Sequence, residues 1–240
     1  MLDFNNYFIK YKDEGFEFIL RPGGYIPKSG LLLAEYFLKN KNLTYSNALE
    51  IGIGEIAFLP IILVKNNITK HVDAIDIDPV ALKWATKNVE KNKLKNFIDL
   101  YGNFSELPGH KYDLIYSNPP QLPVSINTSL HDDGGADGYD VINQVINFSE
   151  NNLNKNGKLI LLAFDFLNIE ESFNGKETLL SKLSEKGFDV VCEKKLFKKI
   201  RKEGKIEKNL DWIKKQYPLY NFNKNGDLGY SIIIIEAIKI

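Results

Sequence analysis

A chain of 240 residues, 44% hydrophobic and 26% charged, suits one sizeable core with a small appendage and excludes a disordered or fibrous polymer. Its 31 basic and 31 acidic residues cancel, so net charge points to no polyanionic partner. The lone cysteine, Cys192, rules out an internal disulfide and reads as a small core residue of a reducing compartment, and the longest apolar runs, such as Ala57 to Val64, fall short of the ~20 residues that span a bilayer; a cytoplasmic protein, monomeric or weakly oligomeric and without a membrane partner, is expected.

The first 46 residues are irregular and read as an N-terminal cap or lid. Phe16, Phe18 and Leu20 alternate as in a short strand or hairpin, Arg21-Pro22-Gly23-Gly24 turns, and Ser29 is the expected N-cap of an apolar helix from Leu31 to Leu38. From residue 47 to the end, strand-like apolar runs alternate with helical patterns. This predicts an α/β, Rossmann-like domain: a seven-stranded, mostly parallel sheet with helices on both faces. The strands are expected at Asn47 to Gly52, His71 to Ile77, Phe97 to Tyr101, Tyr112 to Ser117, Gly157 to Ala163, Phe188 to Lys194 and Tyr230 to Ile238.

Glu50-Ile51-Gly52-Ile53-Gly54 ends the first of these strands and leads into a helix expected near Ala57. Glycines there let the backbone turn sharply and approach a ligand without a Cβ in the way. Asp76 ends the second strand, where an acid is placed to bind two vicinal ribose hydroxyls. Asp78 and Pro79 are a helix cap and a first-turn proline, followed by Ala81, Trp84, Ala85 and Val89 on one face. Gly52-x-Gly54-x-x-Ala57 also fits a dinucleotide fingerprint, which keeps an NAD-dependent oxidoreductase as a rival up to this point.

Tyr112 to Ser117 reads as a buried strand, and Asn118-Pro119-Pro120-Gln121 follows at its carboxyl end, where open α/β sheets place ligands. Two prolines stiffen the backbone and remove donors, leaving carbonyls that only accept. Further on, Asp133-Gly134-Gly135-Ala136-Asp137-Gly138 is a turn needing positive φ, and Ile142, Val145, Ile146, Ser149 and Leu153 form a helical stripe that stops before Asn156-Gly157. Residues 182 to 224 hold thirteen basic against six acidic side chains. A solvated basic surface is the plain reading and a face for an acidic or RNA-bearing partner the sharper one. His71, His110 and His131 are scattered, and no metal is expected.

Glu50-x-Gly52-x-Gly54, Asp76, Asn103 and Asn118-Pro119-Pro120 together resemble the motif series of class I S-adenosylmethionine-dependent methyltransferases, over residues 47 to 165. The resemblance implies S-adenosylmethionine as cofactor, with Glu50 near its ammonium end, Gly52 and Gly54 along its methionine and ribose, Asp76 on the ribose hydroxyls, and Asn103 with Phe104 at the adenine. It implies that Asn118, Pro119, Pro120 and Gln121 hold a planar NH2 group whose hydrogens go to the Asn118 side-chain oxygen and the Pro119 carbonyl. Ile56 stands where many members carry a third glycine, Asn103 replaces the commoner Asp, and Gln121 replaces the usual aromatic.

Members of this Asn-Pro-Pro-Tyr type methylate either protein glutamine, as the HemK-like enzymes do, or exocyclic amines of nucleic-acid bases, as adenine N6-methyltransferases do. The Gly-Gly-x-Asp-Gly element is similar to one in the glutamine enzymes and favours a protein substrate. The basic stretch and Ile56-Ala57-Phe58-Leu59-Pro60 keep rRNA or tRNA open. Only 46 residues precede the cofactor motif, too few for the helical recognition domain of bacterial release-factor enzymes, so a short member aided by a small partner subunit fits.

Overall fold

The computed structural model describes residues 5–11, 14–24, 28–40, 44–127, 129–224 and 226–240. The chain divides into two compact units, residues 1–116 and 117–240.

The first unit opens with an antiparallel hairpin, β1 (Asn5–Tyr11) and β2 (Glu14–Leu20), followed by α1 (Lys28–Lys39). The helix begins at Lys28, so Ser29 lies inside its first turn and is not the cap the sequence suggested. A sheet in the order β5-β4-β3-β6 follows, from β3 (Tyr45–Ile51), β4 (Thr69–Ile75), β5 (Ile98–Tyr101) and β6 (Tyr112–Ser117). The pairs β3–β4 and β4–β5 are parallel. Parallel neighbours need crossovers, and α2 (Phe58–Lys65) and α3 (Pro79–Lys91) supply them.

Helix α2 is buried from Phe58 to Leu63, so it carries no polar face, and Pro60 is tolerated because first-turn N–H groups have no intrahelical partner. Helix α3 starts as read: the Asp78 side chain accepts from Val80 N at 2.8 Å, with Pro79 in the first turn. Between β5 and β6 there is only a short 3-10 turn, η1 (Phe104–Glu106).

A residue of α3 that sequence reasoning passed over ties this unit together. Asn88 is fully buried; its Oδ1 accepts from Ile19 N at 2.7 Å, and its Nδ2 donates to the carbonyls of Ile19 (3.0 Å), Glu55 (3.3 Å) and Trp84 (3.2 Å). One amide thereby joins the hairpin, the glycine loop and its own helix. Asn88→Ala strands a buried N–H and several carbonyls, and a loss of about 1–3 kcal/mol in chemical denaturation is expected; a midpoint within error of the native protein would show that the network carries no net stability.

The second unit begins at Ser117, passes through a loop to α4 (Asp140–Asn152), and builds strands in the order β7-β10-β8 from β7 (Leu153–Phe164), β8 (Phe188–Lys199) and β10 (Asp227–Lys239). Strand β10 is antiparallel to both neighbours and buried along Ile232 to Ile235. Helices α5 (Leu179–Glu185), α6 (Lys205–Lys208) and α7 (Leu210–Gln216) and the two-residue strand β9 (Asn223–Lys224) complete it. Phe166 is fully buried among the rings of Phe164, Tyr217, Tyr220, Phe222 and Tyr230, with centroids 5.1–6.0 Å apart where Phe166 and Tyr230 meet their neighbours.

The α/β class holds, with ten strands among the described residues instead of seven. The hairpin β1–β2 lies where the alternation of Phe16, Phe18 and Leu20 suggested a short strand or hairpin outside the expected seven, and the unread addition is β9, which at two residues is too short to show a period. Strand β7 starts at Leu153, before the expected Gly157; the helix ends at Asn152, and Asn156, expected to stop a helix, takes φ 63° within the strand. Cys192 lies in β8 opposite Ile235 and is half-buried, not a core residue; burial, then Glu170, pushes its thiol up to about 11. No helix among the described residues is long and apolar enough to cross a membrane.

Candidate active site

In the first unit the carboxyl ends of β3 and β4 bring the motif residues together. Gly52 (φ 83°) and Gly54 (φ 65°) both occupy the left-handed region, and a Cβ built on either meets no atom within 4 Å. The conformation favours glycine at both positions, and the space beside them is clear for a ligand's backbone-close approach. Gly52 N donates to Ile75 O at 2.9 Å, and Gly54 N donates to Asp76 Oδ2 at 2.9 Å. Asp76 Oδ1 accepts from Asp78 N at 3.0 Å. The half-buried carboxylate thus fixes the glycine loop to the end of β4.

Glu50, one residue before the end of β3, is 3% exposed, and its Oε2 has no hydrogen-bond partner. Burial first, and then the charge of Asp76, push its carboxyl well above the usual carboxylate range. The buried Tyr116 phenol draws it partly back without reaching good hydrogen-bond geometry, and its own hydroxyl is likewise unsatisfied. A buried carboxylate oxygen with nothing to accept from fits a cationic, multi-donor ligand group such as an ammonium.

The energetic sign of Glu50 is testable. Its folded-state pKa lies above the unfolded value of about 4.3, so the stability it contributes is complete below that value and is lost as pH rises through the folded pKa. Without ligand, Glu50→Gln should melt higher than the native protein, by a margin that widens from about pH 5 to about pH 8. A margin that is flat or narrows with pH would contradict the unsatisfied buried carboxyl.

Asn103 caps η1. Its Oδ1 accepts from Ser105 N (2.9 Å) and Ser105 Oγ (2.6 Å), its Nδ2 donates to Glu106 Oε1 (2.6 Å), and Glu106 Oε2 accepts from Gly102 N (2.7 Å). The exposed asparagine and the half-buried Phe104 beside it therefore sit at a rigid turn just past β5.

In the second unit, Asn118 and Pro120 are half-buried, and Pro119 and Gln121 are buried. Gln121 Nε2 donates to Pro119 O (3.2 Å) and Leu162 O (2.8 Å), and its Oε1 accepts from Phe164 N (2.7 Å). The side-chain amide thereby takes up alternate backbone groups of β7 as a neighbouring strand would. Pro119 O, which has two lone pairs, keeps one for another donor.

The turn from Asp132 to Gly138 packs on this loop. Gln121 N and Leu122 N donate to Asp132 O (3.1 and 2.9 Å), Gly134 N to Leu122 O (2.9 Å), and Val124 N to Gly135 O (3.0 Å). A Cβ on Gly134 would lie 2.5 Å from Gln121 Cα, and one on Gly138, at φ 85°, would lie 2.6 Å from Gln121 O. The glycines of this turn are therefore set by close backbone approach as well as by the positive φ of Gly135 and Gly138.

The basic stretch supports the same turn. Trp212 Nε1 donates to Ala136 O (2.8 Å), Tyr217 OH to Asp137 O (2.5 Å), and Lys205 pairs with Asp132. Lys186 pairs with Glu150, Lys195 with Glu170 and Lys199 with Asp227, so part of the local charge excess is balanced inside the unit.

The family model described as methyltransferase small domain matches residues 26–198. The chain is 30% identical over 190 residues to the putative protein N5-glutamine methyltransferase MJ0928 of Methanocaldococcus jannaschii, covering 76% of this chain and 90% of that one. It is 25% identical over 186 residues to the release factor glutamine methyltransferase of Geobacter sulfurreducens, covering 72% of this chain and 62% of that enzyme. Among solved structures, a methyltransferase from Pyrococcus furiosus superposes with a TM-score of 0.56 at 19% identity, over 94% of this chain and 90% of that one. That likeness shows the shared Rossmann-like fold.

Proposed function

We propose, from the premise that this chain belongs to the methyltransferase small domain family and is an S-adenosylmethionine-dependent methyltransferase, that it methylates the side-chain amide nitrogen of a protein glutamine in the cytoplasm. The observation that carries the reading is the Pro119-Pro120 backbone, which offers carbonyl acceptors and no N–H donor, beside Asn118 and on a loop held from Gln121 to Val124 by the Asp132–Gly138 turn. Similarity to a protein named for N5-glutamine methylation, along nine-tenths of its length, points the same way. The nicotinamide-dependent reading loses its ground with the family.

When bound, the cofactor supplies an electrophilic methyl group on sulfonium. Glu50 Oε2 would take its ammonium group, Asp76 its ribose hydroxyls, the Gly52–Gly54 backbone would lie along it, and Asn103 with Phe104 would border the adenine. Substrate is held elsewhere in the chain: the Asn118 side-chain oxygen and the open lone pair of Pro119 O accept the two amide hydrogens. Acceptors on both N–H bonds raise electron density on a conjugated nitrogen as it attacks, and fixing its direction supplies much of the remaining advantage. Residues 1–46 would act as a cap on the substrate side.

Replacing Asp76 with alanine should weaken S-adenosylhomocysteine binding by at least about tenfold in calorimetry, since the carboxylate both holds the glycine loop and meets the ribose; unchanged affinity would remove it from the cofactor site. The substrate class is tested by incubating the enzyme with labelled cofactor and cell extract, then treating halves with protease or ribonuclease. Label erased by protease is the expected result. Label erased by ribonuclease would replace glutamine with an RNA base.

A further inference from the structure

The fold gathers a second polar group in the first unit, away from the motifs. On β4, His71 and Asp73 are two residues apart and so share a sheet face, and Asp99 is the register partner of Asp73 on β5. His71 Nε2 lies 3.3 Å from Asp73 Oδ1 and 3.3 Å from Asp99 Oδ2, and the three donor atoms all lie within 4.8 Å of one another. The other Asp73 oxygen is held by Tyr112 OH at 2.8 Å and by His110 Nε2 at 3.3 Å.

Three features separate this group from ordinary surface acids. The Asp73 side chain is 1% exposed, and its ion partners among the described residues are the two histidines, with no lysine or arginine. Two carboxylates directly opposite one another on paired strands repel, which calls for a cation between them. The short β5–β6 connection places only η1 and a loop where a crossover helix would otherwise cover this sheet, and the His71 and Asp99 side chains stay 29% and 54% exposed, open to an ion from solvent.

We propose that His71, Asp73 and Asp99 bind a divalent transition ion, zinc foremost, which clips β4 to β5. With bonds of about 2.0 Å, a tetrahedral ion spaces its donors about 3.3 Å apart, the separation His71 keeps from both carboxylates. Imidazole and carboxylate are a donor set that zinc accepts, and water from the open side completes four ligands. Tyr112 and His110, on the far oxygen of Asp73, fix the carboxylate's orientation as outer partners do in metal sites.

The test uses untagged full-length protein stripped with chelator, loaded with zinc or cobalt(II) and desalted. One retained zinc per chain, a higher melting temperature and visible d–d bands of tetrahedral cobalt are expected. His71→Ala and Asp99→Asn, both at accessible positions, should each weaken zinc binding by about tenfold or more, and His131→Ala, in the other unit, should leave it unchanged. No retained metal, undiminished binding in both cluster variants, or equal loss in His131→Ala would overturn the proposal. Cofactor affinity, read in parallel, is expected to hold in both variants, so failure here is distinct from failure of the methyltransferase site.

Discussion

Asn118→Ala is expected to lower methyl transfer by about two to three orders of magnitude while leaving S-adenosylmethionine affinity nearly intact. The side-chain oxygen accepts a hydrogen of the target nitrogen as charge develops, and a missing acceptor costs most in the transition state. The surrounding loop should survive the change, since its position is held by Gln121 and by the backbone bonds to Asp132, Gly134 and Gly135. Every residue proposed for the cofactor precedes residue 117, so single-turnover transfer and calorimetry report on separate parts of the chain. Normal turnover by the variant would remove the proposed mechanism.

Gly134→Ala is expected to cost about 3 kcal/mol, a fall of roughly 6–12 °C in melting temperature, and to take transfer activity with it. The added Cβ would stand 2.5 Å from Gln121 Cα, 2.8 Å from Gln121 C and 2.8 Å from Gly138 O. All three are backbone atoms, so no rotamer change relieves the overlap. The relaxation available is to push the Asn118–Gln121 segment away, which is the segment proposed to hold substrate. Gly109→Ala is the control, because a Cβ there meets nothing within 4 Å and needs no left-handed backbone. A Gly134 variant that melts and turns over like the control would show that the turn does not position the loop.

The core of the first unit was legible because its signals are local. Asp78 and Pro79 specify a helix start through one side-chain bond and one missing N–H, and both act as read. The glycines before α2 announced a sharp turn, and Gly52 and Gly54 make it at positive φ. What stayed hidden depends on pairing between distant segments. Asn88 sits on a helix face and looks like one more polar residue until Ile19 and Glu55 arrive at its amide. His71 and His110 carry no mutual spacing in the sequence, and only the register of β4 with β5 and the start of β6 gathers them around Asp73. The charge excess of residues 182 to 224 was visible as composition, but not its partners Glu150, Glu170, Asp227 and Asp132.

Gln121 shows why the usual aromatic cannot simply be put back. Gln121 serves Phe164 N and Leu162 O through two separate atoms close to its backbone, whereas a tyrosine carries one hydroxyl at the far end of a rigid ring, so Gln121→Tyr would take the bonding atoms away from two main-chain groups of β7. Chain and loop have been tailored to each other around a flat amide. Any remodelling toward the common form would have to rewrite the facing edge of that strand in the same stroke.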